Sequence, residues 1–222
     1  MKKPKDQEEL QQIANQLAHP KGEEGLEISK LMHQTNISMT EKAIELLKLE
    51  NDDSILELGH GNGHHVVELL ENIPSLKYYG LEISELMHQE AKKANINHLE
   101  NGQAKFHLYG GDKIPFEKES FDKILTVNTI YFWKEPLKMA QEIHRVLNTG
   151  GRFTVAFSQK HFLEKLPFAQ YGFTFYDNEM VEELMEAANF TIVEQSEITE
   201  TVKSKAMEEI EREFTVMAFQ KQ

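Results

Sequence analysis

The residues with the clearest chemical potential are glycines at every second position, Gly59, Gly61 and Gly63, followed downstream by Glu82, Asp112 and Asn128. Backbone without Cβ can turn sharply and let a ligand come close. Glu82 lies about 20 residues beyond the glycines, the spacing at which a carboxylate accepts hydrogen bonds from a ribose diol. An adenosine group is implied, without its identity.

The glycine spacing narrows the choice. In the dinucleotide fingerprint G-x-G-x-x-G the third glycine allows helix to pack closely on strand beside a pyrophosphate. Here the sixth position is His64, and no Gly-Lys-Ser or Gly-Lys-Thr follows to cradle a phosphate. The turn suits an amino-acid-like tail better than a phosphate.

These residues need strand ends to hold them. Ile55, Leu56 and Leu58 form a short apolar run interrupted by Glu57, which suits a strand covered on both faces. Val66, Val67, Leu69 and Leu70 then have helical spacing, so the segment reads strand, glycine turn, helix. Further strands are predicted over 75–83, ending near Glu82, over 103–109, closed by Gly110, Gly111 and Asp112, over 121–127, ending on Asn128, and over 152–158. Between them lie a Ser84-capped helix to about Asn95, with Leu86, Met87 and Ala91 inward, and a helix over 134–147. The latter carries Leu137, Ala140, Ile143 and Val146 at helical spacing and ends in a cap and turn at 148–151. A helix over 176–189 and strands over 191–197 and 213–220, joined through 203–211, complete the chain as an antiparallel pair at the sheet's edge. The predicted fold is α/β, a doubly wound, mostly parallel seven-stranded sheet of Rossmann-like form, with an antiparallel edge strand at the C-terminus. Ahead of it, helices are predicted over 7–18, 26–33 and 38–49, with a turn-rich break at 19–25. Residues 1–50 read as a helical lid segment over a binding domain of residues 51–222, the whole forming one domain.

Composition bounds the function. The chain has 222 residues, enough for a real core, and no cysteine, which excludes disulfides, thiolate metal sites and a cysteine nucleophile. A net charge of −13 argues against a nucleic-acid backbone as partner. Much of the excess is C-terminal, twelve acidic against four basic residues over 177–222, and reads as a solvated face. The basic start at residues 1–5 is followed by Asp6, Glu8 and Glu9 rather than an apolar stretch, and no run approaches the roughly 20 apolar residues of a membrane span. A soluble, cytoplasmic protein is expected.

The chain resembles the class I S-adenosylmethionine-dependent methyltransferases, most closely the branch that includes the ubiquinone and menaquinone biosynthesis enzymes. The matching motifs are Leu56-Glu57-Leu58-Gly59-His60-Gly61-Asn62-Gly63, Gly80-Leu81-Glu82-Ile83-Ser84, Gly111-Asp112-Lys113-Ile114-Pro115-Phe116, Ser120-Phe121-Asp122-Lys123-Ile124 and the run from Glu142 to Gly151. The resemblance implies S-adenosylmethionine as cofactor, with Glu57, Gly59, His60, Gly61 and Gly63 along its methionine part and Glu82 and Ile83 at the ribose. It further implies Gly111 and Asp112 near the adenine, and Asn128 and Ile130 near the sulfonium. His60 departs from the family, where a smaller residue is more usual.

Such a reaction needs alignment and dryness more than acid–base chemistry, because the sulfonium already activates the methyl group. An oxygen acceptor would gain from a base, and His60, His64 and Tyr131 are the candidates. The cluster His60, His64 and His65 lacks a supporting carboxylate pattern, so no metal is expected. Tyr131 and Trp133, with Phe168 and Tyr171 from the aromatic stretch at 160–176, are candidate substrate contacts. The expected activity is methyl transfer to a small, partly hydrophobic or aromatic molecule. The alternatives are a nicotinamide-dependent oxidoreductase and a non-catalytic S-adenosylmethionine-binding protein.

Overall fold

The apolar run beginning at Ser54 becomes a central strand of a seven-stranded sheet. The structure, a computed structural model, describes residues 6–203 and 209–222. In chain order it contains α1 (Gln7–Ala18), α2 (Gly22–Leu47), β1 (Ser54–Leu58), α3 (His64–Asn72), β2 (Lys77–Glu82), α4 (Glu85–Ala94), α5 (Ile96–Glu100), β3 (Ala104–Leu108) and β4 (Phe121–Val127). There follow α6 (Pro136–Val146), β5 (Leu147–Ser158), α7 (Lys160–Leu163), α8 (Asn178–Ala187), β6 (Phe190–Lys203) and β7 (Glu209–Lys221), with short 3-10 turns at Ile130–Phe132 and Pro167–Gln170.

The strand order is β3-β2-β1-β4-β5-β7-β6. The first five strands are parallel, and β7 runs antiparallel to both β5 and β6. The C-terminal pair is antiparallel as expected, with the reversed strand one place in and β6 at the edge. From β1 the chain winds outward through β2 and β3, then returns to the other side of β1 as β4. That reversal leaves a crevice at the carboxyl ends of β1 and β4, the place where open α/β sheets bind ligands.

Helices cover both faces. On one, Met39, Ala43, Leu46 and Leu47 of α2, Val66 and Leu70 of α3 and Ala91 of α4 pack on Ile55, Tyr78 and Leu125. On the other, Met139, Ala140, Ile143 and Val146 of α6 and Val181 and Met185 of α8 pack on Leu56, Ile124 and Phe153. The near-continuous apolar strands follow from this two-sided burial.

Local signals misplace some boundaries. The two helices expected over 26–33 and 38–49 are one 26-residue helix, α2. The Thr35 and Thr40 hydroxyls donate to the carbonyls of Leu31 and Asn36 one turn back, so these polar residues are accommodated inside the helix. Packing of its C-terminal half on the sheet then holds the whole length. The turn expected at 148–151 lies inside β5 as an irregularity: α6 runs directly into the strand, Gly150 has φ +79°, and the pairing with β4 shifts register between Phe121 and Lys123. Leu137, expected inward, is exposed in the first turn of α6, and Met139 takes the buried place. The helix α5 has no counterpart in the expectation, and β6 and β7 are longer than expected. Part of the expected connection over 203–211, and the basic start at 1–5, lie outside the described residues. No described helix is long and apolar enough to cross a membrane.

Candidate functional site

A cleft opens at the carboxyl ends of β1, β2 and β4. Its wall includes Glu57, Gly59, His60, Gly61, Glu82, Ile83, Gly111, Asn128 and Trp133.

The glycine loop after β1 is shaped by two close approaches. Gly59 has φ +75°, and a Cβ there would fall 2.5 Å from Thr129 Cγ2. Gly63, at the N-terminus of α3 with φ +64°, would bring a Cβ within 2.8 Å of Ala91 Cβ. Close packing of loop and helix is thus provided by Gly63, one place earlier than the fingerprint position that His64 occupies. Gly61 also has positive φ but open space where its Cβ would be.

His60 turns inward beneath this loop. Its Nδ1 donates to the Gly61 carbonyl at 2.8 Å, and its ring lies edge-on to Phe106 with centroids 5.0 Å apart. It fills the space left by Gly80, where a Cβ would meet His60 Cδ2 at 2.5 Å. Burial, opposed by the Glu57 charge, pulls its pKa down to about 4, so His60 is neutral near pH 7. The unusual residue therefore supports the loop from below and leaves the cleft open.

Glu82 ends β2 almost wholly buried. Its Oε2 accepts from the Gly61 amide at 3.0 Å, and its Oε1 accepts from the Ile83 and Ser84 amides at 2.8 and 2.9 Å. Burial outweighs those three hydrogen bonds and raises its pKa to about 7. A carboxylate held in this way is short of positive partners and favours further donors. Glu57 is buried as well, accepting from Tyr78 Oη at 2.6 Å and pairing with His65 Nε2 at 2.8 Å. Burial alone would raise Glu57, but the His65 charge and the hydrogen bonds from His65 and Tyr78 hold it below its ordinary value. Burial likewise opposes charge on His65, and Glu57 overcomes it, raising the imidazole's pKa. This pair ties the start of α3 to β1 under the loop.

Asn128, with φ +57°, sits at the end of β4 in a conformation uncommon for a residue with a side chain. Its Oδ1 accepts from Tyr131 Oη at 2.9 Å and its Nδ2 donates to Met39 Sδ at 3.3 Å. Tyr131 Oη also accepts from the Ser158 amide. The phenol is therefore engaged on both sides, and burial raises its pKa. Trp133 Nε1 donates to Thr129 Oγ1 at 3.2 Å, which anchors the indole in the wall.

Seven of the residues singled out from the sequence stand apart from the cleft wall. Gly63 faces α4, Ile130 and Tyr131 belong to the core, and Asp112 is exposed beside Gly111. His64 is exposed, its ring 5.5 Å from that of His33. Phe168 and Tyr171 lie on or beside the 167–170 turn, which α1 packs against. The sequence reading expected a lid over residues 1–50 but named no cleft residue within it. Leu17, Ala18 and Pro20 at the end of α1, and Ser29, Met32, His33, Asn36 and Thr40 of α2, close the cleft from above, and Tyr109 lines its β3 side. Ser29, His33, Asn36 and Thr40 recur at helical spacing, a signal that emerges only when α2 is taken as one helix.

Residues 56–155 match the protein family described as methyltransferase domain. A Bacillus subtilis protein named as a methyltransferase, YrhH, is 28% identical over 113 residues, covering 51% of this chain and 62% of its own length. The demethylmenaquinone methyltransferase of Lactococcus lactis is 34% identical over 124 residues, covering 55% of this chain and 48% of its own. Over residues 56–155 the chain is thus similar to methyltransferase domains. The chain is similar in fold to a Haloferax volcanii protein solved with the Trm112 methyltransferase activator, with TM-score 0.73, 19% identity and coverage of 86% and 92% of the two chains. It is also similar to a Thermotoga maritima S-adenosylmethionine-dependent methyltransferase, with TM-score 0.64, 25% identity and coverage of 89% and 95%. Buried Glu82 in the cleft wall, and a glycine loop that His60 does not obstruct, fit the cofactor of this family.

Proposed function

We propose that the protein transfers the methyl group of S-adenosylmethionine to a small acceptor that is partly hydrophobic or aromatic. The observation that carries this reading is Glu82, a buried carboxylate at the end of β2, oriented by the Gly61 amide within the same cleft as the glycine loop. Glu82 accepts from the ribose hydroxyls, Gly59, Gly61 and Asn128 hold the methionine part, and Ile83, Tyr109 and Gly111 flank the adenine. Glu57 acts from beneath, through His65, to fix the loop. Bound S-adenosylmethionine supplies a methyl group activated by the sulfonium charge. The chain's own contribution is to align the acceptor and exclude water. The end of α1 and the middle of α2 serve as the lid, and Phe132 and Trp133 give the acceptor side an aromatic wall. A roofed cleft in a chain of net charge −13 favours a small molecule over a phosphate backbone.

Calorimetric titration of Glu82→Ala tests the assignment. Loss of hydrogen bonds to a charged acceptor should weaken S-adenosylmethionine binding by about 1.5–3 kcal/mol. Unchanged affinity would remove the ribose role of Glu82. For the acceptor, turnover confined to proteins or nucleic acids in a broad panel would contradict the small-molecule reading.

A further inference from the structure

The proposed reaction leaves open whether a base assists it, and the cleft bears on that point. Three imidazoles line it: His33, His60 and His65. His60 is locked under the loop through its Gly61 hydrogen bond, and His65 is committed to Glu57. Tyr131 has its hydroxyl engaged by Asn128 and Ser158. His33 differs from all three. It projects from the roof helix α2, is half-buried, and has no hydrogen-bond partner among the described residues.

We propose that His33 is the general base for a hydroxyl-bearing acceptor, an inference that rests on the methyltransferase reading above. The roof around it, Ser29, Asn36 and Thr40, is polar, while Met32, Phe132 and Trp133 are apolar or aromatic. That mixture suits an aromatic ring carrying a hydroxyl. In the step, the acceptor's O–H bond breaks and its proton passes to an unprotonated nitrogen of His33. The oxygen's electron pair forms the O–CH3 bond as the CH3–S bond breaks, its electrons neutralising the sulfonium. The products are the methyl ether, S-adenosylhomocysteine and the imidazolium of His33, which then loses its proton to solvent.

The surroundings keep His33 ready for this. Burial chiefly, and then the charges of His64 and His65 on α3, hold its pKa below the ordinary histidine value. Glu57 lies behind His65 and is already paired with it. The imidazole is thus unprotonated at neutral pH, the state in which it can accept a proton.

The test compares the unsubstituted protein with His33→Ala and His33→Gln, measuring S-adenosylmethionine binding by calorimetry and methyl transfer to a panel of phenols and catechols against pH. Binding within about threefold of the unsubstituted protein, a kcat lower by at least about 100-fold, and partial rescue of the alanine variant by added imidazole are expected. The unsubstituted protein should show an acid limb in kcat with its inflection below 6.5, and both variants should lack it. A variant that loses cofactor affinity while keeping kcat would overturn the proposal, making His33 a cofactor contact. An unchanged acid limb would overturn it as well. Cofactor binding without turnover of any hydroxylated acceptor would overturn the base role alone, whereas absence of cofactor binding in the unsubstituted protein would overturn the proposed function itself.

Discussion

At the residue scale, two buried groups with shifted protonation, His60 and Glu82, shape the cleft. His60 fits only because Gly80, twenty positions later, has no side chain. A Cβ at Gly80 would meet His60 Cδ2 at 2.5 Å, Phe106 Cδ1 at 3.0 Å and Tyr78 Cε1 at 3.1 Å. Gly80→Ala is therefore predicted to cost about 1–3 kcal/mol through overpacking, measured by denaturant unfolding. Adding His60→Ala should recover part of that loss, giving a non-additive cycle, while strict additivity would contradict the packing. From the sequence alone His60 was visible as an oddity, but its orientation was not, because the complementary vacancy sits on another strand. The place of Glu82 at the end of β2 was legible from the apolar run that precedes it. What could not be read was its protonation, which depends on the depth of burial. With a folded pKa raised to about 7, the native state holds a proton that the unfolded chain releases near 4.5. The unfolded state then binds fewer protons across that window, so this group's contribution to stability falls as pH rises from about 4.5 to 7. Replacing Glu82 by Gln should flatten that part of the stability profile in the ligand-free protein, as followed by thermal unfolding against pH.

At the scale of elements, the strands were legible and the continuity of α2 was not. β1, β2, β3 and β4 each pair an apolar run with a polar or glycine ending, and those endings mark their carboxyl edges. α2 defeats the same reasoning, because Gln34, Thr35 and Asn36 interrupt the apolar pattern and residues 34–37 fall between the two expected helices. Its helicity is maintained by Thr hydroxyls bonded back one turn and by the burial of Met39, Ala43, Leu46 and Leu47. The helix has two functions along its length: its last turns belong to the core, and its middle roofs the cleft. Leu46 is fully buried, so Leu46→Ala should destabilise the fold by about 2–5 kcal/mol in equilibrium unfolding. Met32→Ala, in the roof, should instead leave the unfolding midpoint nearly unchanged and alter acceptor turnover. Equal losses of stability from both would contradict the division of α2 into anchor and roof.

For the molecule as a whole, alternation of strands with helices sufficed to predict the doubly wound sheet. The position of β7 between β5 and β6 is set by long-range pairing that no local pattern encodes. Winding away from β1 in both directions is what brings the glycine loop, Glu82 and Asn128 to one crevice, and α1 and α2 then close it. Since the similarity to methyltransferase domains points to S-adenosylmethionine, the decisive question is whether that cofactor or a nicotinamide dinucleotide binds. Titrating the intact protein at pH 7 with S-adenosylmethionine, in two buffers of different ionisation enthalpy, addresses it directly. Ribose hydroxyls donating to Glu82 would favour its ionised form, and with a pKa raised to about 7 part of the ligand-free protein carries that proton at pH 7. A Glu82 that takes up the ribose hydroxyls predicts one-site binding with net release of a fraction of a proton, and no competition from nicotinamide dinucleotides. Absence of S-adenosylmethionine binding, or its displacement by a nicotinamide dinucleotide, would contradict it.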